Sequence, residues 1–354
     1  MALPRKKYVK EGEEGVYHCF TRCVRRAFLC GRDSVTRRDF SHRKALIVDR
    51  LRELAAIFAI EVCAYAIMEN HYHIILRICA DIVASWTDRE VATRWLTLYP
   101  RGVGLKGTSG SIIERQISAL AECTERIAEL RKRLSSLSWF MGRLNEHVAR
   151  AANKEDKVKG RFWESRFKCQ ALLDGAAITA CMVYVDLNPI RAGLAATPEG
   201  SDFTSIQERI RAWHKETMEV CADSGQSMKA VSVDRELSNQ EDTTNWLCPI
   251  QSSSERRGIL QMAASEYFDL VDRSGRMLHG GKRGSIDADL EPILLRMGVN
   301  PEAWLDTISS FESRFRLAAG LVSSLRRFAE QLGKRWFTGI APARIAFTLK
   351  PHLV

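Results

Sequence analysis

Between Met68 and Ile78 the chain reads Met-Glu-Asn-His-Tyr-His-Ile-Ile-Leu-Arg-Ile. Glu69-Asn70 is turn material, and the residues after it are aromatic and branched β-formers. Side chains alternate between the faces of an extended strand. His71, His73, Ile75 and Arg77 therefore share one face, and Tyr72, Ile74, Leu76 and Ile78 the other. The second face is wholly apolar and has to sit on helices. The first carries two imidazoles side by side, and neutral imidazole is the commonest protein ligand for a metal. Two histidines do not close a metal site alone, and a pair of this kind also occurs as ordinary packing or surface decoration.

The flanking sequence supplies partners for such a strand. Residues 15–23, Gly-Val-Tyr-His-Cys-Phe-Thr-Arg-Cys, have the content of a first strand. Residues 41–59 predict a helix capped by Ser41, with Val48, Leu51, Leu54 and Phe58 at helical spacing. Residues 60–68 predict a second strand. The order is then interrupted. Residues 80–110 hold Trp86, Trp95 and a glycine-rich stretch that reads as loop, and its lone Gly-x-Gly lacks the strand and helix a phosphate cradle needs. Residues 111–150 carry an apolar stripe from Ile113 to Leu137 that predicts one amphipathic helix broken near Ser135-Ser136.

Core-type sequence resumes at Gly160. Arg161-Phe162-Trp163-Glu164-Ser165-Arg166-Phe167-Lys168 interleaves bases and aromatics, and residues 167–173 predict another strand. Asp174 is a candidate N-cap for a helix over 175–188, which Pro189 should stop because proline disfavours helical geometry in the residue before it. Residues 215–255 read as a polar linker. Residues 256–354 are again helical in pattern, notably around 259–262, 290–297 and 311–336. The chain thus divides into a domain over 1–214 with a helical insertion at about 80–155, a linker, and a helical C-terminal domain.

Lys and Arg together number 53 against 43 Asp and Glu, a formal net charge of +10. Such an excess favours a polyanionic partner, since phosphate neutralisation supplies most non-specific nucleic-acid affinity. The ten cysteines form no C-x-x-C, which argues against a zinc ribbon, and they read as reduced core residues of a cytoplasmic protein. No apolar leader or membrane-length apolar run is present, so no membrane partner is expected.

A helix over 175–188 puts Tyr184 and Asn188 on one face, one turn apart. Ala177, Ala180 and Cys181 on the same face are small, so the phenol is expected to stand clear with room for a substrate. Asn188 can offer its amide oxygen to a hard cation. His71, His73 and Asn188 would then make three protein ligands, with positions left for a phosphate oxygen and water. A tyrosine, with an ordinary pKa of about 10, becomes a competent nucleophile when its proton is shed near such a cation. Attack on a phosphodiester gives a 5′-phosphotyrosine and a free 3′-hydroxyl, and a second 3′-end can reverse it. Core packing is the plain alternative for the tyrosine.

Taken together these segments resemble a known family. His71-Tyr72-His73, preceded by Met68-Glu69-Asn70, resembles the histidine–hydrophobic–histidine motif of the HUH single-tyrosine transposases. Tyr184-Val-Asp-Leu-Asn188-Pro189-Ile-Arg191-Ala-Gly193-Leu is similar to the Tyr-x-x-x-Asn-Pro-Val-Arg-Ala-Gly-Leu segment of their REP-associated branch, and the opening Gly15-Val-Tyr17-His18 and the Gly160-Arg-Phe-Trp-Glu-Ser-Arg-Phe block are similar to other parts of that branch. The resemblance spans about residues 15 to 200. It implies an α+β fold built on a ferredoxin-like antiparallel sheet, with the histidines on a central strand and the tyrosine on a nearby helix. It also implies Mg²⁺ or Mn²⁺ and hairpin-forming single-stranded DNA as substrate. On that basis His71 and His73 are metal ligands, Asn188 the third, and Tyr184 the nucleophile. The insertion and the C-terminal third make this chain longer than a minimal member, and the resemblance gives them no role.

Candidate DNA contacts are Arg22, Arg25 and Arg26 after the first strand, and Arg161, Arg166, Lys168 and Arg191 around the helix. Phe162 and Trp163 could stack on unpaired bases, worth about 1–3 kcal/mol each, with core packing as the alternative. The expected activity is that of a transposase-type endonuclease and strand transferase, a monomer rather than a dimer. The alternatives are a water-using metal phosphodiesterase and a non-cleaving DNA-binding regulator.

Overall fold

The computed structural model describes residues 4–10, 12–24, 30–32, 37–99, 110–223, 246–279, 294 and 299–347. Within them β1 (Gly15–Arg22) leads to helix α1 (His42–Ile57), then β2 (Ile60–Ile67) and β3 (His71–Ile78). The insertion follows as α2 (Ala80–Ser85), α3 (Asp88–Leu98), α4 (Gly110–Ala121), α5 (Thr124–Leu134) and α6 (Leu137–Glu155). After it come β4 (Lys168–Leu172), α7 (Gly175–Asp186), α8 (Asn188–Arg191) and α9 (Ser205–Asp223). The C-terminal third adds α10 (Ala264–His279), short helices, and β5 (Ala318–Ala319).

The strands form one sheet in the order β2-β3-β1-β4-β5. The first four pair antiparallel and β5 lies parallel to β4, so the sheet is mixed rather than antiparallel as expected. β1 sits between β3 and β4, and its register aligns Arg22 with His71, Phe20 with His73, and His18 with both Ile75 and Gln170. Opposed residues share a face, so His18, Phe20, Arg22, His71, His73, Lys168 and Gln170 all emerge on one side. The other side carries Tyr72, Ile74 and Leu76 against α1 and α6. There the Tyr72 hydroxyl donates to Asn145 Oδ1 and its ring meets Trp163 edge-on at 5.6 Å.

Within the insertion, residues 80–85 and 88–98 are helical, with a Thr87–Glu90 capping box starting α3. The long amphipathic stripe breaks at Glu122-Cys123 as well as at Ser135-Ser136. The glycine-rich residues 101–109 lie outside the described residues. Pro189 also behaves otherwise than predicted. The helix bends at Leu187 and resumes for one turn as α8, with Pro189 in its first turn, where a missing N–H breaks no helical hydrogen bond.

The C-terminal third meets the sheet at both of its edges. Residues 246–250 run along the free edge of β2, where Cys248 N–H donates to Val62 O at 2.9 Å, and this covers the edge. The stretch 259–262 is consequently irregular rather than helical. The predicted helical run over 311–336 divides into Phe311–Arg314, β5 and a helix Val322–Gln331. Asp174, the predicted N-cap of α7, accepts from Ala177 N at 3.1 Å and with its other oxygen from Leu321 N at 2.6 Å. That carboxylate ties the start of α7 to the strand that joins β4. Gly320 lies so close that a Cβ would come within 2.7 Å of it.

The far end of α7 is held by a buried acid. Asp186 accepts from Ser205 Oγ at 2.6 Å and Ile206 N at 3.2 Å, at the start of α9, and from the Tyr267 hydroxyl of α10 at 2.5 Å. Burial lifts its carboxyl to about 6 against the opposing pull of these donors. Removing one donor leaves a buried carboxylate oxygen unsatisfied, which costs about 1–3 kcal/mol. Tyr267→Phe should lower the urea-unfolding free energy by about that amount, whereas an unchanged value would mean that α10 does not anchor α7.

Candidate active site

The sheet face described above holds three imidazoles. His73 is central and almost wholly buried, with its Nδ1 2.9 Å from Nε2 of His18 on the adjacent strand. The two rings stack at 5.1 Å. His18 Nδ1 in turn lies 3.2 Å from Gln170 Oε1 on β4. His71, nearer the solvent, has its ring 5.0 Å from that of His73 and its Nδ1 2.6 Å from Asn70 Oδ1 in the turn before β3.

These contacts select tautomers. With the Gln170 amide oriented so that its oxygen faces the ring, Oε1 accepts from His18 Nδ1–H, which leaves His18 Nε2 as an acceptor. His73 must then carry its proton on Nδ1 and donate to His18, with its Nε2 lone pair bare. The same reasoning at Asn70 puts the His71 proton on Nδ1 and bares its Nε2. Two adjacent histidines thus both present Nε2 as ligand atoms. Burial holds them neutral: it pushes His18 and His71 down to about 4, with Arg22 adding to the shift at His71. His73 falls well below the ordinary range for the same reason, reinforced by its two histidine neighbours, Arg191 and Arg22. Gln170 Nε2 is a buried donor with no partner among the described residues.

Tyr184 reaches this face from α7. Its ring lies 5.5 Å from His73 and 5.9 Å from His18, edge-on to both. The expectation that it stands clear of its neighbours is overturned, since the residue is only 5% exposed. The C-terminal third closes over it. Phe311 lies 5.9 Å from the ring, and the Tyr184 hydroxyl donates to Glu312 Oε2 at 3.4 Å. The Arg191 guanidinium sits 4.8 Å from the ring centroid and donates to Ser309 O, fixing that segment in place. Burial pushes the phenol up to about 12, with Glu312 adding to the rise and Arg191 opposing it.

Asn188 lies on the predicted face, and its amide Nδ2 donates to Tyr184 O at 3.1 Å. That contact steadies the junction of α7 and α8 and leaves Oδ1 as the atom able to ligate. Among the described residues no three His, Cys, Asp or Glu side chains gather as a metal cluster. The histidine pair alone fits a divalent cation, as two neutral nitrogen donors whose outer nitrogens are already fixed by hydrogen bonds.

The candidate DNA contacts divide. Arg22, Lys168 and Arg191 are exposed and surround the site, with Lys168 Nζ 5.5 Å from the Phe20 ring. Arg161 and Arg166 are exposed on the loop before β4, where Arg161 donates to Glu164 O at 3.4 Å. Trp163 is taken up by packing: its Nε1 donates to Asn145 O at 2.9 Å, and Phe162 meets it edge-on at 4.8 Å. Arg25 and Arg26 lie outside the described residues. Gln170 and Glu312 were not singled out from the sequence. Gln170 could have been found from the alternation of β4 opposite His18, whereas nothing local marks Glu312.

No family model matches the chain, and no curated protein matches it. A solved structure of a REP-associated tyrosine transposase bound to a REP hairpin overlaps 60% of this chain and 86% of that one, at 13% identity and a TM-score of 0.32. No described helix is long and apolar enough to cross a membrane.

The buried histidines make stability depend on pH. Their folded pKa values lie below the unfolded value near 6.5, so their contribution is full above that value and is lost as pH falls toward about 4. For His18 the loss is about 1.4 kcal/mol per pH unit. Urea-unfolding free energies should therefore decline between pH 7 and pH 4.5, with a shallower slope in His18→Gln. A His18 imidazole NMR shift that titrates near pH 6.5 in the folded protein would contradict the assignment.

Proposed function

We propose that this chain is a metal-dependent single-stranded DNA endonuclease and strand transferase of transposase type, with Tyr184 as nucleophile. The carrying observation is the convergence of Tyr184 on the His71–His73 pair from an element more than a hundred residues later in the chain. The order β4-β1-β3-β2 with α1 between β1 and β2 supports the ferredoxin-like reading of the core. The HUH resemblance of the two motif segments supports the assignment of roles.

His71 and His73 would hold Mg²⁺ or Mn²⁺ through Nε2, with Asn188 Oδ1 as the proposed third protein ligand. When bound, the cation would polarise a phosphate oxygen and stabilise the departing 3′ oxygen. His18 and Gln170 keep His73 in the ligating tautomer, and Asn70 does the same for His71. Arg22, Lys168 and Arg191 supply positive charge for a phosphate backbone, with Arg161 and Arg166 extending it along the loop. The substrate is proposed to be single-stranded DNA with hairpin-forming repeats, and the acting form a monomer in the cytoplasm.

One observation favours a second reading. A tyrosine that is almost wholly covered and pushed up to about 12 is a poor nucleophile as it stands. A phosphodiesterase that activates water would leave Tyr184 structural.

Incubation with labelled hairpin-flanked single-stranded DNA and Mn²⁺ separates the two. The native chain should give a denaturant-resistant protein–DNA adduct, and Tyr184→Phe should bind the DNA without forming it. Cleavage that survives in Tyr184→Phe would establish the hydrolase instead, and binding without cleavage by the native chain would leave a DNA-binding regulator. His18→Leu addresses the tautomer relay. Calorimetric Mn²⁺ affinity should fall roughly 10–100-fold with the circular dichroism unchanged, and equal affinity would mean that His18 does not hold His73 in its ligating tautomer.

A further inference from the structure

We infer that Glu312, supplied by the C-terminal third, is the catalytic proton acceptor for Tyr184; the inference rests on the reading of Tyr184 as nucleophile. The motif-bearing segments provide no carboxylate at the phenol. The segment Phe311–Arg314 does, with Glu312 Oε2 3.4 Å from the Tyr184 hydroxyl. Its placement is enforced from the site side, because Arg191 lies over the tyrosine ring and also binds Ser309 O. The phenol is enclosed away from bulk water, so a nucleophilic role demands a base within hydrogen-bond reach. Burial raises the Glu312 carboxyl and so makes it a stronger base. Lys168 from β4, Tyr184 itself, Arg22 from β1 and Arg191 from α8 oppose that rise and favour the ionised form; Cys181 on α7 faces the same carboxylate.

The step balances as follows. The bond from Tyr184 Oη to phosphorus forms as the bond from phosphorus to the 3′ oxygen breaks. The phenol proton passes to the Glu312 carboxylate, and the departing 3′ oxygen takes a proton from water. In strand joining the 3′ oxygen of a 3′-hydroxyl bonds to phosphorus as the bond from phosphorus to Tyr184 Oη breaks; the hydroxyl proton passes to hydroxide, restoring the water consumed in cleavage, and Glu312 returns its proton to the leaving phenolate. Proton transfer of this kind contributes roughly 10²–10⁴-fold.

Glu312→Gln keeps an amide oxygen able to accept from the phenol and removes the basicity. Single-turnover cleavage of the hairpin substrate should fall about 10²-fold or more, with DNA and Mn²⁺ affinities unchanged. Ultraviolet titration, with Tyr184→Phe subtracted, should meanwhile show the phenol becoming more acidic, because a neighbouring negative charge is gone. A merely electrostatic or covering role predicts faster cleavage from that same change. Slower cleavage with a more acidic phenol therefore supports the inference. Cleavage unchanged or accelerated, in a native chain that forms the adduct, overturns it while leaving Tyr184 as nucleophile. A native chain that forms no adduct overturns the nucleophile reading and this inference together. Glu312→Asp, which keeps a base on a shorter arm, should fall between native and Gln, and a rate no better than that of Gln also counts against the role.

Discussion

The pairing of β1 between β3 and β4 is the constraint on which the site depends. Backbone hydrogen bonds set a register in which His18 stands opposite Ile75 on one side and Gln170 on the other, one step from Phe20 opposite His73. A slip of one residue on β1 would send His18 and Phe20 to the far face and bring Tyr17 and Cys19 into their places. The chain of contacts from Gln170 through His18 to His73 exists only in this register. Those contacts determine which nitrogen of His73 is bare. A protein-wide feature, strand alignment, thereby fixes the position of a single proton.

α7 is the second fixed part, and it is held at both ends by carboxylates. Asp174 joins its first turn to the strand-forming segment at Leu321, and Asp186 joins its last turn to α9 and α10. Neither acid belongs to the candidate chemistry. Their effect is to keep the helix from rotating, so that Tyr184 stays over His73 while every side of the helix is buried. The same two ties recruit the C-terminal third. It completes the sheet, covers the edge of β2, and places Phe311 and Glu312 on the tyrosine.

How much of this was legible in the sequence follows from which interactions are local. The period-2 pattern at His71–Ile78 marked β3 and the correct face for both histidines. The 3.6-residue pattern gave α1, and the Asp174 cap gave α7 and with it the Tyr184–Asn188 spacing. β5 was not legible, because two alanines carry no alternation and become a strand only through hydrogen bonds with β4. The extra turn after Pro189 was missed because proline is read as a stop, yet in a first helical turn it removes no hydrogen bond. The open face imagined for Tyr184 was read from small residues on its own helix, while what fills that space arrives more than a hundred residues later. Trp163 illustrates the same limit: nothing local in the sequence indicates that Tyr72 and Asn145 lie beside it.

Burial acts on the two halves of the site with opposite consequences. It disfavours charge on every group it touches, so it lowers the histidines and raises the tyrosine. For a ligand pair that is an advantage, since a neutral imidazole keeps its lone pair in mildly acidic conditions. For a nucleophile it is a handicap, since the phenol holds its proton more tightly than a solvent-exposed tyrosine. The groups next to Tyr184 address the handicap from two sides: Arg191 favours the phenolate by its charge over the ring, and Glu312 offers a place for the proton. Their effects on the resting phenol oppose each other, because the carboxylate that can accept the proton also repels the anion left behind. The two become cooperative only when the proton moves, as neutralising Glu312 removes the repulsion at the moment Arg191 meets the new negative charge. Under the proposed reading of Tyr184 as nucleophile, such a site would be quiet until a phosphodiester is present to be attacked, and it would need the C-terminal third in place to act.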